Sequence, residues 1–573
     1  MRILPLFLLA TVLAAPTPQD RSESVLAGAG VLVTDSTNGT HVTNNTLPTA
    51  ALTGVIVTGF NVSGCEAFLV RFRRPVPKNY SGNFAAVIPP PACLQANHGE
   101  FTYGVRGFSE DCLFLNVLAP LGSAGSEPCM PVMVWIHGGG FIEGDGMTFL
   151  SPYLVRRSVD TGNPVVLVTI NYRLGMMGFG MGRDMAENNA ENLGLHDQLM
   201  ALEWVKRNIA GFGGDPTKVT VFGQSAGAIS IAQHYLNESI DLFRGAIMMS
   251  GQASSTPMAP TSDIWEEPYN VTAIAAGCLA PNITAKGNLT TFECLRAVSS
   301  DTIVHATAVM RRDPRFGPFV FTPSIDGDLV PDRPWVLLKD GHFAKIPYIA
   351  GDTRDEGTWI IPTSVNSSEQ IMSLFHLFFP IDQDPAIIQR IFDKYPNVPE
   401  KGSPFGTGNE TFGMNPAFKQ GSAIAGDMVF HSRRRKFLRR SNDYGNNQTW
   451  TYEFRGPTPN IDGFLGIPHS SDVPYVFGVA VPENNYTAEA EVLGQQIMDY
   501  WINFATYLDP NGDPNLPCDP PSPYWPPHGA TKDSMRFDSA NLTVVPDTFR
   551  EDQMAVFDEP DVAAALLYKR HQV

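Results

Sequence analysis

Six stretches of this chain are apolar, short and without polar alternation: Pro131–Ile136 (PVMVWI), Pro164–Ile170 (PVVLVTI), Val219–Phe222 (VTVF), Phe243–Met249 (FRGAIMM), Ile346–Ala350 (IPYIA) and Thr449–Phe454 (TWTYEF). Runs of this kind predict strands buried on both faces, as in a parallel sheet covered by helices. Between the second and third, Leu195, Leu199, Leu202, Val205 and Ile209 fall on one stripe, which predicts an amphipathic helix over Leu195–Ile209. Strands alternating with helices predict an α/β fold with a large, mostly parallel central sheet and helices on both faces. No linker divides the chain, so residues 51–573 are expected to form one domain with long insertions.

The N-terminus follows another pattern. Arg2, the apolar run Ile3–Leu13 and the small residues Ala14 and Ala15 predict a secretory signal peptide over residues 1–15. That run is too short to span a bilayer, and no later run reaches about 18 apolar residues. Residues 16–50 are rich in Ser, Thr, Asn and Gly and read as an exposed leader. Leu566–Val573 carries no hydrophobic tail of the kind a lipid-linked anchor needs, so no stable membrane anchor is expected.

Thirteen Asn-X-Ser/Thr acceptors follow the signal segment: Asn38, Asn44, Asn61, Asn79, Asn237, Asn270, Asn282, Asn288, Asn366, Asn409, Asn447, Asn485 and Asn541. One sequon means little; this many behind a signal peptide predict a secreted, extracellular glycoprotein. Hydrophobic residues make up 43% and charged residues 17%, which excludes a disordered composition. The net charge of −18 repels phosphate backbones, so no nucleic-acid partner is expected. Seven cysteines without a CxxC give no metal-site spacing, and the odd count leaves at least one thiol outside an internal pair.

Gly223-Gln224-Ser225-Ala226-Gly227 is a GxSxG sequence. Its context gives it weight: a strand leads in, and the helix-compatible run Ala226–Tyr235 leads out. A sharp strand-to-helix turn lifts a serine hydroxyl out of the sheet, and side chains at Gly223 or Gly227 would collide with backbone there. An ordinary glycine turn explains neither flank. His137-Gly138-Gly139-Gly140 follows PVMVWI, upstream of the serine, and bares backbone N–H groups able to hold an oxyanion. His137 itself reads as structural.

A serine nucleophile needs a histidine base and an acid to orient it, in the chain order Ser, acid, His. Asp352, Asp355 and Glu356 follow the strand IPYIA, and His376, His431, His469, His528 and His571 lie beyond them. His571 is at the chain end, His376 sits in an apolar helical run, and His431 precedes Arg433-Arg434-Arg435, a setting expected to be exposed to positive charge.

Longer motifs carry a resemblance. Ser109–Val117 (SEDCLFLNV), NYRLG from Asn171, the run Asn192–Gly227, FRGAIMMSG from Phe243, IDGDLVPDRP from Ile325 and WINFATYLDPN from Trp501 together resemble the type-B carboxylesterase/lipase family, which includes cholinesterases and fungal extracellular lipases. The resemblance runs over roughly residues 50–550 and implies the α/β-hydrolase fold. It implies Ser225 as nucleophile, Glu356 as the acid before Gly357, and His469 as the base. Gly139, Gly140 and Ala226 are the implied oxyanion N–H donors. It further implies the disulfides Cys93–Cys112 and Cys278–Cys294 and a structural pair, Arg173 with Asp197, leaving Cys65, Cys129 and Cys518 unassigned. No metal or organic cofactor is implied. Phe316, Phe319 and Phe321 fall where the family places acyl-pocket residues, although aromatics at such density are as often core.

Two departures bear on substrate. Gln224 stands where many relatives have Glu, and the segment between Cys93 and Cys112 is short and holds no tryptophan. The expected activity is hydrolysis of short- or medium-chain or aromatic-acid esters. The alternatives are a lipase or sterol esterase on long-chain acyl esters, and a non-catalytic adhesion member of the fold. The expected partner is a small-molecule or lipid ester.

Overall fold

The computed structural model describes residues 55–60 and 71–567, apart from 78–88, 96–106, 124–126, 128, 257, 259–264, 280–288, 314, 317–319, 379–383, 514–521 and 540. The signal segment, the leader, Asn38, Asn44, Asn61, Asn79, Asn282, Asn288, Cys65, Cys518, Phe319 and His571 lie outside the described residues.

Twelve strands are described. They are β1 (Val55–Phe60), β2 (Ala92–Cys93), β3 (Phe108–Ser109), β4 (Leu115–Pro120), β5 (Met130–Ile136), β6 (Val166–Ile170), β7 (Gly214–Gln224), β8 (Gly245–Met249), β9 (Tyr348–Thr353), β10 (Thr449–Phe454), β11 (Asp533–Phe537) and β12 (Thr543–Pro546). Ten form one sheet in the order β1-β4-β6-β5-β7-β8-β9-β10-β11-β12, and β2 pairs with β3 separately. From β6 through β11 every pairing is parallel; β1, β4 and β12 make the antiparallel edges. All six predicted strands are present, with ends moved by a few residues; the other six were not predicted.

The sheet is apolar because both faces are covered. Val132, Val134 and Ile136 of β5 and Val219 and Val221 of β7 enter one core, with the helices flanking the serine turn. Met133, Trp135 and Phe222 point into the opposite core with Phe477, Ile497 and Trp501. Successive strand side chains alternate faces, so two cores turn alternation into an unbroken apolar run. The predicted helix spans Leu193–Asn208, burying Leu195, Leu202 and Val205, with Leu199 half-buried. Its Asp197 takes a bidentate pair from Arg173, Nε at 2.7 Å and Nη2 at 2.6 Å.

A third apolar cluster lies beyond β9, built from Ile360, Ile371, Phe418, Ile424 and Phe430 among others. One continuous helical run supports it: Pro416–Gly426 is α-helical, Asp427–His431 is a π-helical turn, and Ser432–Asp443 is α-helical again. Disulfides join Cys93 to Cys112 and Cys278 to Cys294, and Cys129 is exposed and has no disulfide partner among the described residues.

Candidate functional site

Ser225 sits between β7 and the helix Ala226–Tyr235 with φ of 56° and ψ of −122°. This is a left-handed backbone that a side chain adopts only under restraint. The restraint is close packing: a Cβ on Gly227 would lie 1.9 Å from the Ile136 carbonyl oxygen, and one on Gly223 2.6 Å from the same atom. The two flanking glycines are therefore required by backbone contact, and the serine is half-buried at the strand's C-terminal end.

The glycine loop lies against this turn. A Cβ on Gly138 would meet Gln224 O at 2.8 Å and the Ser225 Cβ at 3.0 Å. Gly139 and Gly140 have φ of 99° and 62°, and the Gly139 carbonyl accepts from the N–H groups of Ile142 and Glu143. His137 is held as structure: burial lowers its pKa to about 4, against a hydrogen bond from its Nδ1 to the Gly138 carbonyl. Its ring stacks on Tyr172 at 4.4 Å.

His469 Nδ1 is 2.5 Å from Glu356 Oε2. The other carboxylate oxygen of Glu356 accepts from Ser250 Oγ at 2.6 Å and from the Thr353 N–H at 2.7 Å. Burial works against the charge on Glu356, but the facing His469, these hydrogen bonds and the nearby His431 outweigh it and hold the carboxyl below its usual range. The imidazole stacks on Trp359 at 5.0 Å and packs against Phe430 at 4.8 Å. Its Nε2 is 3.0 Å from Gln224 Nε2. With Nδ1–H given to Glu356, Nε2 is the acceptor, and the Gln224 amide donates to it.

The rival residues have other work. Asp352 accepts from Arg434 Nε at 2.7 Å. Asp355 accepts from Ser403 Oγ and from the N–H groups of Phe405 and Ile467, tying loops together. His528 shares a hydrogen bond with Asn442 and lies 3.7 Å from Asp547.

His431 corrects an expectation: it is buried, not exposed to the arginine run, because Arg434 and Arg435 turn to Asp547. Its Nδ1 meets Asp427 at 3.0 Å and its Nε2 donates to the Thr353 carbonyl at 2.9 Å. Burial opposes its charge, but the Asp427 hydrogen bond and the carboxylates of Asp352, Asp427 and Glu356 raise its pKa to about 9.

Sequence reasoning did not find Ser250, Trp359, Phe430 or His431 as neighbours of the Glu–His pair. Ser250 is the last residue but one of the quoted FRGAIMMSG motif, and Trp359 lies three residues after Glu356; only the fold shows what they touch. Phe321 is buried in the core that also packs Phe141, Ala226 and Ile229, and Phe316 packs half-buried against it. Asn237, Asn366, Asn409, Asn447, Asn485 and Asn541 are exposed, and Asn270 is half-buried.

A mostly parallel sheet with a strained serine turn and a carboxylate-bound histidine on later loops is the α/β-hydrolase arrangement. The model of the carboxylesterase family matches residues 69–557. The chain is 35% identical over 491 residues to Lipase 2 of Geotrichum candidum, covering 78% of this chain and 82% of that one. It is 34% identical to Lipase 2 of Diutina rugosa, covering 80% and 90%, and 33% identical to a secreted triacylglycerol lipase of Gibberella zeae, covering 77% and 73%. The crystal structure of Aspergillus niger EstA superposes with a TM-score of 0.76 at 26% identity, covering 90% of this chain and 96% of that one. This chain belongs to the carboxylesterase family and is a carboxylic ester hydrolase.

Proposed function

We propose that the chain is a secreted serine ester hydrolase working through an acyl-enzyme, with Ser225 as nucleophile, His469 as base and Glu356 as the acid that orients it. The observation that carries this reading is the 2.5 Å contact of His469 Nδ1 with the buried carboxylate of Glu356, on a ring that reaches the residue next to Ser225. The Gln224 amide occupies His469 Nε2 at rest and yields to the Ser225 hydroxyl when substrate binds. His469 takes the hydroxyl proton as Ser225 Oγ attacks the ester carbonyl, and the N–H groups of Gly139, Gly140 and Ala226 take the oxyanion. His469 then protonates the leaving alcohol. Water, deprotonated by the same ring, releases the acid. Secretion is supported by the N-terminal pattern, by the exposed sequons and by the names of relatives, one of them a secreted lipase of Botryotinia fuckeliana.

The relatives favour long-chain acyl esters as substrate, since those from Geotrichum, Diutina and Gibberella are lipases by name. The acyl chain then runs along the apolar side of the serine turn, toward Phe321 and Phe316. A second reading, short- or medium-chain esters, rests on one observation: the Cys93–Cys112 disulfide spans only 19 positions, a small cover for a lipid-gated site. Hydrolysis rate against acyl length, acetate to palmitate, with Ser225→Ala as the blank, tests both. A long-chain optimum with a jump at the micelle threshold supports the lipase; a short-chain optimum without one supports the second reading. No turnover above the blank on any ester overturns the proposal.

A further inference from the structure

A cavity of about 340 Å³ opens between the helices Pro334–Asp340 and Ser432–Asp443 and the C-terminal segment that begins at Asp558. Ser225, Glu356 and His469 do not line it. Three polar side chains face it with buried or inward-facing nitrogen or oxygen atoms that have no hydrogen-bond partner among the described residues. Arg433 is 5% exposed, and its one hydrogen bond runs from Nε to the Met428 carbonyl at 2.9 Å, leaving both terminal nitrogens free. The neighbouring Arg434 and Arg435 are, by contrast, paired with Asp352 and Asp547. Gln252 is 1% exposed, and neither its Oε1 nor its Nε2 is hydrogen-bonded. The indole N–H of Trp335 is likewise buried without an acceptor.

A buried guanidinium lacking a carboxylate is costly, and so is each unpaired buried amide or indole N–H. Burial lowers the Arg433 pKa to about 10, with Asp558 as the one carboxylate acting against it. Asp558 is already shared between Lys436 at 3.6 Å and Arg439 at 2.5 Å. Arg440 at the rim is paired with Asp443 at 3.4 Å, and Lys339 adds a further positive charge. The cavity is thus locally positive within a chain of net charge −18. Its remaining wall is apolar, formed by Leu338, Phe437 and Pro560.

We propose that this cavity binds an amphiphilic carboxylate, an anion with an apolar tail. The planar guanidinium of Arg433 takes both carboxylate oxygens, the geometry in which arginine binds carboxylates most strongly. Trp335 N–H and the Gln252 amide supply further donors, and the tail lies on Leu338 and Phe437. Acids of this class are what a carboxylic ester hydrolase releases, so the site would sense product.

Calorimetric titration of the full-length protein with sodium octanoate tests this, with octan-1-ol and inorganic phosphate as probes of each half of the ligand. We expect one saturable octanoate site outside the catalytic turn. Arg433→Gln should weaken it about tenfold or more, and Lys436→Gln several-fold, because both remove charge that faces the anion. Octanol and phosphate should each bind at least about tenfold more weakly than octanoate. Should Arg433→Gln fail to fold, Lys436→Gln, half-buried at the rim, decides alone. Octanoate binding unchanged in the folded variants, or matched by octanol or by phosphate, overturns the proposal.

Discussion

Gln224 Nε2 lies 3.0 Å from His469 Nε2, on the ring whose other nitrogen is 2.5 Å from Glu356. In the proposed mechanism, the residue beside the serine therefore holds the lone pair that the serine proton has to reach. A net hydrogen bond of this kind contributes about 0.5–1.5 kcal/mol. Gln224→Met keeps the shape and removes the donor. We expect it to raise kcat/KM on a chromogenic ester about two- to tenfold. A tenfold fall would mean that the amide is part of the working arrangement and not a competitor to Ser225.

Glu356→Gln keeps the size of the side chain and removes its charge. In the proposed mechanism the carboxylate fixes Nδ1–H on His469 and balances the imidazolium formed during attack. We expect kcat to fall by about three to four orders of magnitude, with KM changed little. Steady-state kinetics checks this, and a loss under tenfold would remove Glu356 from the mechanism.

His431 predicts a pH dependence of stability. Its folded pKa of about 9 exceeds the ordinary 6.5. A raised value stabilises the fold fully below pH 6.5, and the contribution disappears as pH rises through about 9, a term of roughly 3 kcal/mol. Asp472, pushed up to about 7 chiefly by burial, acts in the same direction at lower pH. The melting temperature should fall between pH 7 and 9, and His431→Gln should flatten that fall. Equal slopes for the two proteins would show that His431 is not the buried cation.

Gly227→Ala and Gly211→Ala make a contrasting pair. The new methyl at Gly227 would lie 1.9 Å from the Ile136 carbonyl oxygen, whereas at Gly211 nothing lies within 4 Å. We expect a loss of about 3 kcal/mol or more at Gly227 and less than about 0.5 kcal/mol at Gly211. Denaturant midpoints measure both.

The parallel strands β5 to β10 were legible because burial on both faces leaves an unbroken apolar run, as in VTVF before Gly223; the parallel β11 (DSMRF), with its charged Asp533 and Arg536, was not. The edge strands were not. β12 is half-buried over Thr543–Val545 and exposed at Pro546, and β4 was quoted for its motif without being recognised as a strand. GxSxG and the glycine loop were legible because backbone contact dictates their glycines. The partners of His469 other than Glu356 were not, because Trp359, Phe430 and Gln224 meet its ring only through tertiary packing. His431 was misjudged from its neighbours in sequence: Arg434 and Arg435 point to Asp352 and Asp547, Arg433 to the Met428 carbonyl, while its own ring turns to Asp427.

The most direct test of the Ser225 mechanism is covalent labelling with a chromogenic alkyl phosphonate ester, followed by peptide mass spectrometry. We expect one released chromophore per chain, an adduct confined to Ser225 and loss of activity in step with it, with no adduct in Ser225→Ala. Inactivation with the adduct on another residue, or labelling of Ser225→Ala at the same rate, would contradict the assignment of Ser225 as the nucleophile.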